Sequence, residues 1–122
     1  LPLILIVDDE ARIRRLLCGA LEDQDDLRVK GAASAEEALE LLRAEPADVA
    51  VVDLRLPGMD GEALIVEAHR LGLCRRFVLH SGSIDLALTP AMQAAGMGPD
   101  DVLQKPVGVD VVLGRVRKLM QP

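Results

Sequence analysis

DVAVVDLRLPGMDG, residues 48–61, begins as a short apolar run rich in valine and places Asp53 where that run stops. An apolar run with no polar alternation is what a strand covered on both faces requires. Pro57 and Gly58 then mark a turn. A carboxylate at a strand end is ordinary by itself. Its meaning depends on what else converges there.

Outward from this stretch the chain has a rhythm. LILIV (3–7) is a second fully apolar strand, and LRVKGA (27–32) a weaker one. RFVLHS (76–81) and DVLQ (101–104) complete a set of five. Between them fall helical patterns. Residues 10–22 place Ile13, Leu16, Leu17, Ala20 and Leu21 on one stripe, with Arg12, Arg14 and Arg15 outside it. Ser34 and Glu37 have capping-box spacing ahead of a helix whose apolar face carries Ala38, Leu41 and Leu42, with Pro46 beyond its end. Residues 61–71 suit a helix stopped by Gly72. Thr89-Pro90 opens a short helix toward Gly96, and 107–120 forms the last one, carrying Val111, Val112, Val116 and Leu119. Strands alternating with helices imply a parallel sheet covered on both faces. In the doubly wound order 2-1-3-4-5, ligands bind beyond the carboxyl ends of strands 1 and 3.

Composition narrows the function. The chain has 122 residues, half of them apolar, with 14 basic and 20 acidic side chains and a formal charge of −6. That length fits one domain with its own core. An acidic domain without a basic run is not expected to bind nucleic acid or an anionic membrane directly. No apolar stretch approaches membrane-spanning length, and LPLILIV lacks the basic flank of a signal peptide. Cys18 and Cys74 form no CxxC motif, and each falls in an apolar helical pattern, as reduced core thiols of a cytoplasmic protein would. Phe77 is the sole aromatic residue.

The expected strand ends hold the chemistry. Asp8 and Asp9 end the first strand and Asp53 the third, so three carboxylates would meet at adjacent tips. Crowded like charges need a compensating cation. An all-oxygen set suits a hard ion, Mg²⁺ or Mn²⁺. Ser81 ends the fourth strand, and the fifth leads into Lys105-Pro106. A hydroxyl and an ammonium facing a metal-bound carboxylate are what a phosphoryl group needs, with Asp53 placed to attack in line.

ILIVDDE, DVAVVDLRLPGMDG, VLHSG and LQKP, in this order and spacing, resemble the receiver domain of bacterial two-component response regulators over essentially the whole chain. The resemblance implies a flavodoxin-like (βα)5 three-layer sandwich. It also implies that Asp53 is the phosphoacceptor, Ser81 the switch hydroxyl and Lys105 the phosphoryl contact. Mg²⁺ would be held directly by Asp9, through water by Asp8, and by Asp53 and the backbone carbonyl of Arg55. Gly82, after the switch hydroxyl, would leave room for phosphate. The implied donor is a histidine kinase or phosphotransfer protein, and the implied receiver of the signal an output domain, a downstream protein or a second copy of the chain. The domain would assist its own phosphorylation rather than act as an enzyme on other substrates. Because the chain begins at Leu1 and not Met, residues 1–122 are expected to be a receiver domain cut from a longer protein.

Two features depart from the family pattern. Val102 stands where the family usually carries Tyr or Phe, so an aromatic rotamer switch is not available there, and a signal must leave by backbone movement or repacking. His80 occupies a usually apolar strand position, and alternation points it away from Ser81, as a structural histidine. These departures keep open a phosphate-independent interaction or dimerisation module. A phosphatase of the haloacid dehalogenase type is disfavoured, because its general acid would stand at Arg55, which cannot give up a proton.

Overall fold

The computed structural model describes residues 1–121. Five strands, β1 (Leu3–Val7), β2 (Arg28–Ala32), β3 (Ala47–Val52), β4 (Cys74–Ser81) and β5 (Val102–Gln104), form one sheet in the order β2-β1-β3-β4-β5. Every neighbouring pair is parallel. The crossovers carry α1 (Ala11–Glu22), α2 (Ala35–Ala44), α3 (Gly61–Arg70) and α4 (Pro90–Ala94), and α5 (Val109–Leu119) closes the chain.

The pleat divides the interior into two cores. Leu3, Leu5 and Val7 point to the layer that Ala38, Leu42, Leu64, Ile65 and Met92 complete from α2, α3 and α4. Ile4 and Ile6 point to the other, against Leu17 and Leu21 of α1 and Val112, Val116 and Leu119 of α5. Strands buried on both faces leave no room for polar alternation, which is why β1 and most of β3 are wholly apolar.

Local signals act largely as their residues suggest. Ser34 accepts the Glu37 amide at 3.1 Å, so the serine half of the capping box is made. Thr89 caps α4 through the Met92 amide, and its hydroxyl also donates to Glu62 of α3. Four details differ from the sequence reading. α1 meets the sheet through Leu17 and Leu21, leaving Leu16 exposed. α2 is rotated so that Leu39, rather than Leu41, is buried beside Leu42. Val111 of α5 is exposed, because Val112 and Val116 face the sheet. Cys74 lies in a strand and not a helix: β4 begins there, in register with Ala47. Both thiols are free, and burial pushes Cys74 up to about 12, so it is an inert core group.

The turn after β3 is held by backbone proximity. Gly58 has φ +73°, a conformation that glycine adopts without strain. Gly61 opens α3 directly against the end of β3, its amide donating to the Leu54 carbonyl at 2.8 Å. A β-carbon at Gly61 would lie 2.1 Å from the Asp53 carbonyl oxygen. Gly61→Ala is therefore expected to cost about 1–3 kcal/mol or more, the range for overpacking. Urea denaturation measures it, and an unchanged midpoint would show that this loop can yield.

Candidate functional site

Parallel register brings the strand tips level. Val7 pairs with Val52 and Val52 with Leu79, so Asp8 and Asp53 emerge side by side. The Asp53 amide extends the ladder to the Val7 carbonyl at 2.9 Å, and the Asp8 amide reaches the Ala32 carbonyl at 3.1 Å. Ser81 is opposite Gln104, and the Lys105 amide donates to the Ser81 carbonyl at 2.8 Å, which carries the lysine to the same edge. The Lys105-Pro106 bond is cis.

Asp8 and Asp53 are only 2% and 5% exposed, so their charges need partners inside the protein. Lys105 Nζ donates to Asp8 Oδ2 at 2.9 Å and to Asp53 Oδ2 at 3.2 Å, and lies 3.7 Å from Glu10 Oε1. The Glu10 amide donates to Asp8 Oδ1 at 2.9 Å. Burial holds the Asp8 carboxyl above its ordinary range, and the Lys105 ammonium and the Glu10 amide only partly offset it. For Lys105, burial would lower the value, but the hydrogen bond to Asp8 and the charges of Asp53 and Asp8 outweigh it and hold the ammonium above its usual value. One lysine thus serves two buried carboxylates, and the site remains short of positive charge.

Oxygens of Asp8, Glu10 and Asp53 lie within 4.8 Å of one another. An all-oxygen cluster with a deficit of positive charge fits a hard divalent cation such as Mg²⁺. Asp9 is exposed and lines the cleft, without joining that cluster. The cleft has a volume of about 460 Å³ and is lined by Asp53, Ser81, Gly82 and Lys105. A β-carbon at Gly82 would meet only Lys105 Cβ, at 3.8 Å, so packing does not demand glycine there. The Arg55 amide is 3.4 Å from Asp53 Oδ1.

Two contributors lie outside the residues picked from sequence. Glu10 follows the Asp8-Asp9 pair, so a run of three acids was its available signal. Asp85 pairs with Arg55 across the cleft, and nothing in the sequence links positions 30 apart. His80 faces the α1–α5 layer, opposite to Ser81, beside Ile13, Leu17 and Pro106. Burial, then the nearby Lys105 charge, lowers it to about 4, so its imidazole is neutral at pH 7. Val102 packs with Leu86 and Leu88 against the α2–α4 core, in a layer where Met92 and Met97 are buried.

A doubly wound parallel sheet with buried acids, a lysine and a serine at its carboxyl rim defines a phosphoryl-accepting signalling module. The chain belongs to the response regulator receiver domain family, which it matches over residues 4–117. It is 32% identical over 118 residues to a protein-glutamate methylesterase/protein-glutamine glutaminase of Rhodopseudomonas palustris, covering 96% of this chain and 32% of that protein. The chain therefore spans about a third of that relative. A CheY-like receiver domain from Methanospirillum hungatei superposes with a TM-score of 0.84 at 30% identity, covering 98% of this chain and 94% of that one. The response regulator TrrA of Thermotoga maritima, solved in complex with Mg²⁺-BeF, gives 0.83 at 25% identity, covering 98% and 100%. Receiver domains are phosphorylatable switches that bind Mg²⁺ at an acidic pocket.

His80 makes stability depend on pH. Its folded value lies below the ordinary 6.5, so the unfolded chain binds the extra proton first as pH falls. The contribution is present above about pH 6.5 and is lost progressively down to about pH 4, by up to about 3 kcal/mol. His80→Leu is expected to flatten the stability profile from pH 6.5 to 5 in urea titrations. An equally steep profile in the variant would remove His80 as the cause.

Proposed function

We propose that Asp53 is the phosphoacceptor and that the chain works as the receiver of a larger signalling protein. The observation that carries this is the buried Asp53 carboxylate, which shares the Lys105 ammonium with Asp8 at the rim of an open cleft. Asp53 attacks phosphorus in line while the bond from phosphorus to a donor histidine nitrogen breaks. The electron pair stays on the imidazole, which then takes up a proton. Lys105 neutralises phosphoryl oxygens, and the Ser81 hydroxyl, buried beside the cleft, donates to one of them once the group is in place.

Mg²⁺, or Mn²⁺ in its stead, supplies positive charge to the same oxygens when bound. Asp9, Asp53 and the Arg55 carbonyl would hold it in this reading, with Asp8 assisting. Glu10 is close enough to Asp8 and Asp53 to share the role. The donor is a histidine kinase or phosphotransfer protein, and the reader an output domain, a downstream protein or a second copy of the chain. The domain assists its own modification and dephosphorylation and turns over no separate substrate. No helix among the described residues is long and apolar enough to cross a membrane, which is compatible with a cytoplasmic setting.

Incubation with a small phosphodonor such as acetyl phosphate is expected to add one base-labile, Mg²⁺-dependent phosphoryl group, read by intact mass. Asp53→Asn should abolish it. Uptake of one phosphoryl group by that variant would overturn the assignment. Lys105→Ala is expected to slow uptake by about a hundredfold, the scale for removing one preorganised charge contact, with the fold retained by circular dichroism. Unaltered uptake would remove Lys105 from the chemistry.

A further inference from the structure

Arg55 does more than lend a carbonyl. Its guanidinium reaches across the cleft to the loop after β4, donating from Nε to Ser83 Oγ at 3.3 Å and from Nη2 to Asp85 Oδ2 at 2.5 Å. The receiving loop is organised for this contact. The Asp85 amide donates to the same Ser83 oxygen at 3.2 Å, the Ser83 amide to Ser81 Oγ at 3.4 Å, and Gln104 Nε2 to the Ser83 carbonyl at 3.3 Å. Ser83 thus joins the switch hydroxyl, the end of β5 and the arginine. Arg55 and Ser83 both line the cleft that holds Asp53.

The Arg55 and Asp85 side chains are about two-thirds exposed, so water screens their attraction and the pair opens at little cost. A phosphoryl group on Asp53 offers a guanidinium more charge and more acceptor oxygens than one carboxylate does. We propose that Arg55 is a second cationic contact for the phosphoryl group, and that Asp85 is a positioning residue that holds its guanidinium aside until the group arrives. This rests on Asp53 as the acceptor. Asp85 and the phosphoryl group compete for one arginine, which links modification of Asp53 to release of the loop after β4.

The test is the rate of phosphoryl uptake from acetyl phosphate, followed by intact mass, in which an Asp53 oxygen bonds to phosphorus as acetate leaves with the electron pair. Asp85→Asn frees Arg55 and is expected to speed uptake by about two- to fivefold, the scale of an exposed ion pair. Asp85→Glu keeps the charge and should restore the wild-type rate. In an Arg55→Ala background, which leaves the backbone carbonyl in place, Asp85→Asn should have no further effect. An unchanged or slower rate in Asp85→Asn, or the same gain in the Arg55→Ala background, would overturn the proposal while leaving Asp53 as the acceptor. No adduct on the wild-type protein would overturn the acceptor assignment and this inference with it.

Discussion

Two carboxylates buried side by side repel each other unless a cation stands between them. Here that cation is the ammonium of Lys105, which bridges Asp8 and Asp53. The interaction joins residues 97 and 52 positions apart, so it exists only when β1, β3 and β5 have all docked in order. β4 lies between β3 and β5, and the long lysine side chain reaches past its tip. The same bond that closes the sheet electrically also places an ammonium where phosphoryl oxygens would gather. The contact that offsets the charge of the two buried acids thus lies at the open rim of the sheet.

The surroundings keep this contact partly unsatisfied. Asp8 remains held above its ordinary range even with Lys105 beside it, because burial outweighs the pairing. A fold selected for stability alone would have placed Asn or Ser at these tips. Gly82 is not needed for packing, whereas Gly61 is packed so closely that it fixes the path of the chain behind Asp53. On the side of the β4 loop, by contrast, the cleft is bordered by exposed polar contacts among Arg55, Ser83 and Asp85.

Much of this was legible in the residues. Fully apolar runs ending in acids marked β1 and β3, since a strand covered on both faces tolerates only apolar side chains until it reaches the rim. Ser34, Thr89 and Gly72 located helix ends by local chemistry that tertiary packing did not override. The rotation of each helix was harder to see. In α1, Leu16 and Leu17 are both apolar, and only the sheet decides which turns inward. Leu39 and Leu41 pose the same ambiguity in α2, and Val111 and Val112 in α5. The apolar residues around Cys74 fit a helical period as well as a strand's, so the pattern alone does not place it at the start of β4. At the site, Asp8, Asp53, Ser81 and Lys105 could be found because each sits at a strand end. Glu10 is marked only by its place in a run of three acids, and Asp85 by nothing, since its pairing depends on loop geometry that the pattern of apolar residues does not encode.

The sheet is also a partition. Ser81 and His80 are consecutive residues of one strand, yet the first belongs to the rim above the α2–α4 layer and the second reaches into the α1–α5 layer. The backbone of both residues is held in one parallel ladder, His80 opposite Leu103 and Ser81 opposite Gln104 of β5. The α2–α4 layer against which Val102 packs is built mainly of aliphatic and methionine side chains, with Phe77 as its one aromatic member. One strand end thus presents neighbouring side chains to two opposite layers, a hydroxyl at the rim and an imidazole against the α1–α5 side.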